Sequence, residues 1–232
     1  MKILRFLFCA TAGVALATAA SAYPNFNATT GIIAVPTAFT VGSGAFIGAA
    51  DVLFADDLTL NARAIYGVTD RLELGASLTA GTDTAFGVTG KYRLPVLTTL
   101  GDLAVGLSFA DAHDAGNGYQ AFFVLTRGMT GAETTNMSLL GSAGITFTNF
   151  EGLSGIIPFV GAELLLPNNL AIDGEFVFEA GDFDDSIFSL LLRKQLTTTI
   201  GAEIGFTNAI GFLGSTDHNL FLGASYNFGG LP

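Results

Sequence analysis

From Arg71 to Ala80 the chain alternates with a period of two. Leu72, Leu74, Ala76, Leu78 and Ala80 fall on one face, and Arg71, Glu73, Gly75, Ser77 and Thr79 on the other. From Leu170 to Ala180 the same spacing gathers Leu170, Ile172, Gly174, Phe176 and Phe178 opposite Asp173, Glu175, Val177 and Glu179. A helical period would mix these sets, so each stretch reads as a strand that shows different environments to its two faces. Read this way throughout, the sequence predicts strands near 44–54, 57–66, 71–80, 85–94, 102–110 and 119–127. A second group follows near 137–147, 156–166, 170–180, 186–195, 198–207 and 218–228. About twelve strands of about ten residues suit a bilayer crossed by tilted strands, and the number is even, as bacterial membrane barrels require.

Which face points outward follows from size. A ring of about twelve strands with its leucines inside would enclose a void that side chains cannot fill, whereas leucines turned outward meet lipid. The predicted fold is therefore an all-β, transmembrane, antiparallel up-and-down β-barrel with both termini on the periplasmic side. Gly67-Val68-Thr69-Asp70, Pro167-Asn168-Asn169 and Leu196-Thr197-Thr198 then become short periplasmic turns. Asp111 to Gly118, Thr148 to Ser154, Gly181 to Asp185 and Thr207 to Asp217 become longer, mostly acidic outer loops. Gly128 to Asn136 is longer than this register expects of a periplasmic turn.

Composition agrees with a lipid-facing barrel. Charged residues make up 12% of the chain, against about 25% in soluble domains. No apolar run after the N-terminus approaches the roughly 20 residues of a spanning helix. At the start, Lys2 and Arg5 precede an apolar stretch from Phe6 to Ala20, and Ala20-Ser21-Ala22 supplies small residues for cleavage, the pattern of a secretory signal peptide over 1–22. Cleavage would remove Cys9, the one cysteine, and with it any disulfide, thiolate nucleophile or cysteine metal ligand. It would also remove two of the nine basic residues and none of the twenty acidic ones, leaving a net charge of 7 − 20 = −13. That charge argues against nucleic acid as a partner. The mature chain then divides into residues 23–43, where Pro36 cannot donate to a ladder, and a barrel over 44–232. The first part reads as an edge-like strand, a periplasmic arm or a plug within the lumen.

On the inward face, small residues predominate: Gly75, Ser77 and Thr79, Ala104, Gly106 and Ser108, Ser142, Gly144 and Thr146, then Gly201 and Gly205. The large inward residues are mostly charged and segregate along the chain. Arg63, Arg71, Lys91 and Arg93 come early, with Glu73 among them; Glu163, Asp173, Glu175, Glu179 and Glu203 come late. If water separates the two arcs, they set up a transverse field acting on small polar solutes. If they touch, they form a structural network that closes the lumen. Tyr66, Tyr92, Tyr119, Tyr226 and Phe228 lie outward near strand ends, where aromatic rings anchor a barrel at the membrane interfaces.

Catalytic chemistry has little to work with. His113, in Asp111-Ala112-His113-Asp114, reads as solvated surface in an acidic loop, and His218 beside Asp217 reads as a polar rim. Asp182, Asp184 and Asp185 lack the spacing of a calcium loop. No enzyme activity, metal or cofactor is expected. At the C-terminus Leu220, Leu222, Ala224, Tyr226 and Phe228 alternate, and the stretch containing Gly223, Tyr226 and Phe228 resembles the terminal signal read by the outer-membrane barrel assembly machinery.

Thr30-Gly31-Ile32-Ile33-Ala34-Val35-Pro36-Thr37-Ala38 resembles the Gly-Leu-Ile, Pro-Thr-Ala signature of YjbH-like outer-membrane proteins, and Tyr66 to Gly75 resembles their strand-turn-strand repeat. The resemblance implies an outer-membrane barrel connected with exopolysaccharide production or export. The expected function is a narrow channel for small polar solutes or a component of that export, with outer-membrane lipids and the assembly machinery as partners. Rival readings are a structural or adhesive outer-membrane protein, a secreted soluble β-protein and an outer-membrane enzyme.

Overall fold

The computed structural model describes residue 25 and residues 27–54, 58–81, 84–96, 100–112, 116–130, 137–150, 153–180, 186–209 and 215–229. The signal-peptide reading of 1–22 with Cys9, together with His113, Asp114, Asp182, Asp184 and Asp185, lies outside them. The strands are β1 Phe46–Phe54, β2 Leu58–Thr69, β3 Leu72–Ala80, β4 Thr84–Arg93, β5 Asp102–Ala112 and β6 Gly116–Thr130. They continue as β7 Ser138–Phe150, β8 Leu153–Leu166, β9 Leu170–Val177, β10 Ile187–Gln195, β11 Ile200–Ala209 and β12 Ser215–Asn227. Each pairs antiparallel with the next, and β12 closes on β1 from Ile47↔Asn227 to Phe54↔Leu220. The result is the closed up-and-down barrel of twelve strands that the alternation predicts.

Closure leaves no edge strand, so every strand can pair its backbone polar groups within lipid. The outward face is apolar: Leu107 is 67% exposed, Ile156 62% and Ile145 49%, each flanked in sequence by residues that turn inward. A belt of this kind on a closed barrel makes the molecule an outer-membrane protein. At the end bearing the termini, Phe46, Tyr226 and Phe228 form a ring cluster, with centroids 5.2 Å apart for Phe46 and Phe228 and 4.6 Å for Tyr226 and Phe228. Tyr66 pairs with Phe46 beside it. Tyr119 packs on Phe147 toward the opposite end, at 6.1 Å. Because Leu107 sits midway along β5, Leu107→Arg should cost about 2–4 kcal/mol of barrel stability. Urea titration of the protein refolded into bilayers measures this, and Ser108→Arg on the opposite face serves as comparison.

Connections differ from the sequence reading. Three of the four stretches assigned to longer outer loops carry the ladder further instead: Asp111 pairs with Asn117, Asn149 with Ser154, and Ala209 with Ser215 after an irregularity at Thr207, while Gly181 to Asp185 lies outside the described residues. Only 151 and 152 separate β7 from β8. Polar side chains mark where a strand leaves lipid, not where its hydrogen bonds stop, because a strand can project beyond the bilayer with its side chains solvated. In the other direction, β9 ends at Val177 rather than at Ala180.

Candidate functional site

The segment before β1 runs inside the barrel. Residues 28–41 are almost wholly buried, with Ile33 1% exposed and Ala38 0%, and they touch inward side chains on opposite walls. Their backbone folds into a tight hairpin. Ile32 N–H donates to Val35 O at 2.9 Å and Thr37 N–H to Thr30 O at 3.0 Å, with Gly31 bridged to Pro36. Asn25 ties the base to the turn, accepting from Thr29 N–H at 3.0 Å and donating to Ala34 O at 3.1 Å. Pro36, which has no N–H, occupies a place in this hairpin where none is required.

Buried polar groups hold the hairpin to the wall. Glu175 on β9 accepts three backbone N–H bonds from the turn: Ile33 at 3.0 Å, Ala34 at 2.8 Å and Val35 at 3.0 Å. Three converging donors compensate a carboxylate that burial would otherwise penalise heavily. Glu73 on β3 accepts from Thr29 Oγ1 at 2.6 Å, Thr30 N–H at 2.8 Å and Val41 N–H at 3.0 Å. Lys91, directly opposite Glu73 in the β3–β4 register, places its ammonium 2.9 Å from that carboxylate. It also donates to Thr30 O and Thr37 O, each at 3.0 Å, and to the Thr30 hydroxyl, so one fully buried cation ties both arms of the hairpin to one wall. From β6, the Thr126 hydroxyl accepts from Ala38 N–H at 2.8 Å.

The small inward residues make room for this segment. A Cβ on Gly75 would lie 1.6 Å from Ala28 O, one on Gly67 would lie 2.1 Å from Gly42 O, and one on Gly161 would meet the Ile32 side chain at 2.5 Å. Apolar contacts complete the seat: Ile32 and Ile33 cluster with Leu53, Leu191 and Phe221, while Val35 and Ala38 cluster with Phe122, Val124 and Phe159.

A second polar group spans the seam where the barrel closes. Arg63 on β2 pairs with Asp51 on β1 and with Glu203 on β11, the latter at 2.9 Å. Arg193 on β10 reaches Glu163 at 3.2 Å, Asp173 at 3.4 Å and Glu203 at 3.7 Å, and donates to Ile32 O of the hairpin at 3.2 Å. Glu163 and Asp173 face each other directly across the β8–β9 register, an arrangement of like charges that needs a cation between them. Asp51 and Arg193 were not singled out in the sequence.

The early and late charges thus meet rather than face each other across water. Closure makes β2, β1, β12 and β11 neighbours, so Arg63 and Glu203 lie close although far apart in sequence. Two residues depart from their inferred places. Arg71 lies exposed in the turn between β2 and β3, outside the lumen. Glu179 lies past the end of β9 and is also exposed. Both are corrected by strand ends: alternation cannot carry a side chain inward once the ladder has stopped. Arg93 stays half-buried near the terminal end, paired with Asp102 at 2.6 Å and 5.9 Å from the ring centroid of Phe39.

Of the C-terminal residues, Tyr226 and Phe228 are exposed on the lipid face. Gly223 faces inward at the seam, where a Cβ would lie 1.9 Å from Asp51 Oδ1 and 2.8 Å from Glu203 Oε1. Its smallness thus serves the charged network. His218 lies in β12. Among the described residues, no group of three or more acidic, histidine or cysteine side chains converges as a metal site.

No family model and no curated protein matches the chain. Among solved structures, the chain is similar to the KdgM porin, with TM-score 0.62 and 12% identity over 79% of this chain and 99% of that one. It is similar to the NanC porin at TM-score 0.58 and 9% identity, covering 78% and 98%. The outer membrane protein Omp33 of Acinetobacter baumannii gives TM-score 0.56 and 13% identity over 79% and 97%. At these identities the likeness is one of fold.

Proposed function

We propose that this protein is an outer-membrane channel for small polar solutes that rests closed, with the hairpin of residues 27–41 as its plug. The observation that carries this reading is the wall behind the plug. Ser77, Thr89, Ser108, Thr126, Ser142, Ser189 and Thr207 are buried and face inward, where a barrel filled for good could use apolar side chains. A hydroxyl-lined wall tolerates water when the hairpin leaves, and the hairpin is held largely by hydrogen bonds that water can replace. The KdgM porin, similar in fold, has been described in complex with oligogalacturonate, a polar solute.

The motif that resembles the YjbH-like signature is the hairpin itself, so a role in exopolysaccharide export would also depend on moving it. A polymer would need the lumen cleared along its whole length, which favours the small-solute reading. The closing strand's Tyr226 and Phe228 remain the residues we propose for recognition by the assembly machinery.

Recording in planar bilayers tests the channel. The parent protein should stay closed most of the time, and deletion of residues 25–43 should give steady ohmic conductance from a barrel that still shows heat-modifiable gel migration. A folded, plug-free barrel without conductance would overturn the proposal.

A further inference from the structure

Glu175 is the buried carboxylate that the wall leaves to the hairpin. Asp51 and Glu203 pair with Arg63, Glu73 with Lys91, and Glu163 and Asp173 with Arg193, whereas Glu175 has no ion-pair partner among the described residues. Ser189 stands opposite it in the β9–β10 register, and Arg193 lies further along β10. Its donors come from the hairpin instead. Ile33 and Val35 N–H reach Oε2 at 3.0 Å, and Ala34 N–H is shared between Oε1 at 2.8 Å and Oε2 at 3.0 Å, so both oxygens are engaged. Residues 27–41 contain no Asp, Glu, Lys, Arg or His. Three backbone dipoles thus stand where a cation would.

The charge balance of the wall points the same way. On β1 to β4, the buried carboxylates Asp51 and Glu73 are matched by Arg63 and Lys91. On β8 to β11, Glu163, Asp173, Glu175 and Glu203 share one buried cation among the described residues, Arg193, so the excess negative charge of the lumen collects on that arc. Departure of an uncharged hairpin keeps this excess and strips Glu175 of its donors.

The wall beside Glu175 suits a hydrogen-bonding solute. One cross-strand row runs from Thr207 through Ser189, Glu175, Gly161 and Ser142 to Thr126. Its hydroxyls pair at each end, Ser189 with Thr207 at 2.7 Å and Thr126 with Ser142 at 2.9 Å. Gly161, next to Glu175 in the row, is covered by the Ile32 side chain, so exit of the hairpin clears a step about 4.8 Å wide between strands.

A planar fork of N–H donors matches two carboxylate oxygens better than a compact ion does, and it carries the charge that the hairpin lacks. We infer that Glu175 is the recognition site for a small guanidinium solute, whose N–H groups take the places of the Ile33, Ala34 and Val35 N–H groups. The site rests on the channel reading and names the class of polar solute that it admits. An acidic solute would meet like charge along β8 to β11 and find no donor at Glu175. Because the guanidinium binds only the unseated form, it shifts the barrel toward the open state by mass action.

Amide hydrogen exchange of the intact protein in bilayers, with methylguanidinium as the probe, tests the site without requiring current. At millimolar concentration it should accelerate exchange at Ile33, Ala34 and Val35 at least about tenfold more than tetramethylammonium, a cation without N–H donors, at equal ionic strength. The strand amides of β5 should stay protected, which separates displacement from denaturation. In Glu175→Gln, where the hairpin amides already exchange fast, methylguanidinium should add nothing. Equal effects of the two cations, or the same acceleration in Glu175→Gln, would overturn the assignment. Planar bilayers keep the two readings apart. A barrel that conducts without preferring methylguanidinium to chloride, its exchange unmoved, retains the channel and overturns the site; accelerated exchange without any current retains the site and overturns the channel.

Discussion

Replacing Arg193 with methionine is expected to destabilise the barrel by about 3–5 kcal/mol, the cost of leaving buried charge without its partner. Arg193 is 4% exposed, and its guanidinium stands 3.2 Å from Glu163 and 3.4 Å from Asp173, which the β8–β9 register sets opposite each other. Methionine nearly conserves the side chain's apolar volume, so the loss reports charge rather than packing. Unfolding in urea measures it. The triple change Glu163→Gln, Asp173→Asn, Arg193→Met should recover most of the stability, because the facing pair on β8 and β9 then needs no cation and Glu203 keeps its closer partner Arg63. If the single variant loses under about 1 kcal/mol, the seam charges are solvated and the network carries little.

Glu175→Gln is expected to have the largest effect on gating. The carboxylate accepts the Ile33, Ala34 and Val35 N–H bonds, two of them on one oxygen, and charge-assisted bonds of this kind contribute about 1.5–3 kcal/mol each. Glutamine keeps one acceptor oxygen and turns the other position into a donor facing N–H groups. A loss of about 2 kcal/mol in plug seating corresponds to about a thirtyfold rise in the ratio of open to closed time. The strands around Glu175 do not depend on those three bonds, so barrel stability should change less than gating. Single-channel recordings on the parent and the variant compare the open times directly; equal open times would mean that Glu175 does not latch the hairpin.

The wall of the barrel was legible because lipid enforces a period of two over many residues, as in Leu72 to Ala80. Strand ends were not, since hydrogen-bond ladders continue through polar sequence such as Asp111 to Asn117. The opposite also happens: alternation runs on past the ladder at Arg71 and Glu179, and the pattern places both inside although β3 begins at Leu72 and β9 ends at Val177. The site was legible in its residue types but not in its pairings. Arg63 and Glu203 come together through the closure of β1 on β12, a contact that no local pattern encodes. Arg193 was hidden because it follows the unbroken apolar run Leu190 to Leu192, which masks alternation. Asp51 shares its inward face with Ile47 and Leu53, apolar residues buried within the barrel, and a wet-lumen reading does not look for a carboxylate there.

The plug shows the same limit more sharply. Its sequence, around Thr30 to Ala38, leaves edge strand, periplasmic arm and plug open alike, and what seats it in the lumen is supplied by Glu73, Lys91 and Glu175 from distant strands. The small inward residues read as empty space are its seat, as Gly75 against Ala28 illustrates.

Amide hydrogen exchange of the intact protein in bilayers tests most directly whether this hairpin occupies the lumen. The N–H groups of Ile33, Ala34 and Val35 lie outside the barrel's strands, and among the described residues the acceptor they share is the Glu175 carboxylate. The expected result is exchange nearly as slow as that of neighbouring strand amides, with these three accelerated in Glu175→Gln while the strands stay protected. Exchange of residues 27–41 at the rate of an unstructured chain in the parent protein would contradict a seated plug.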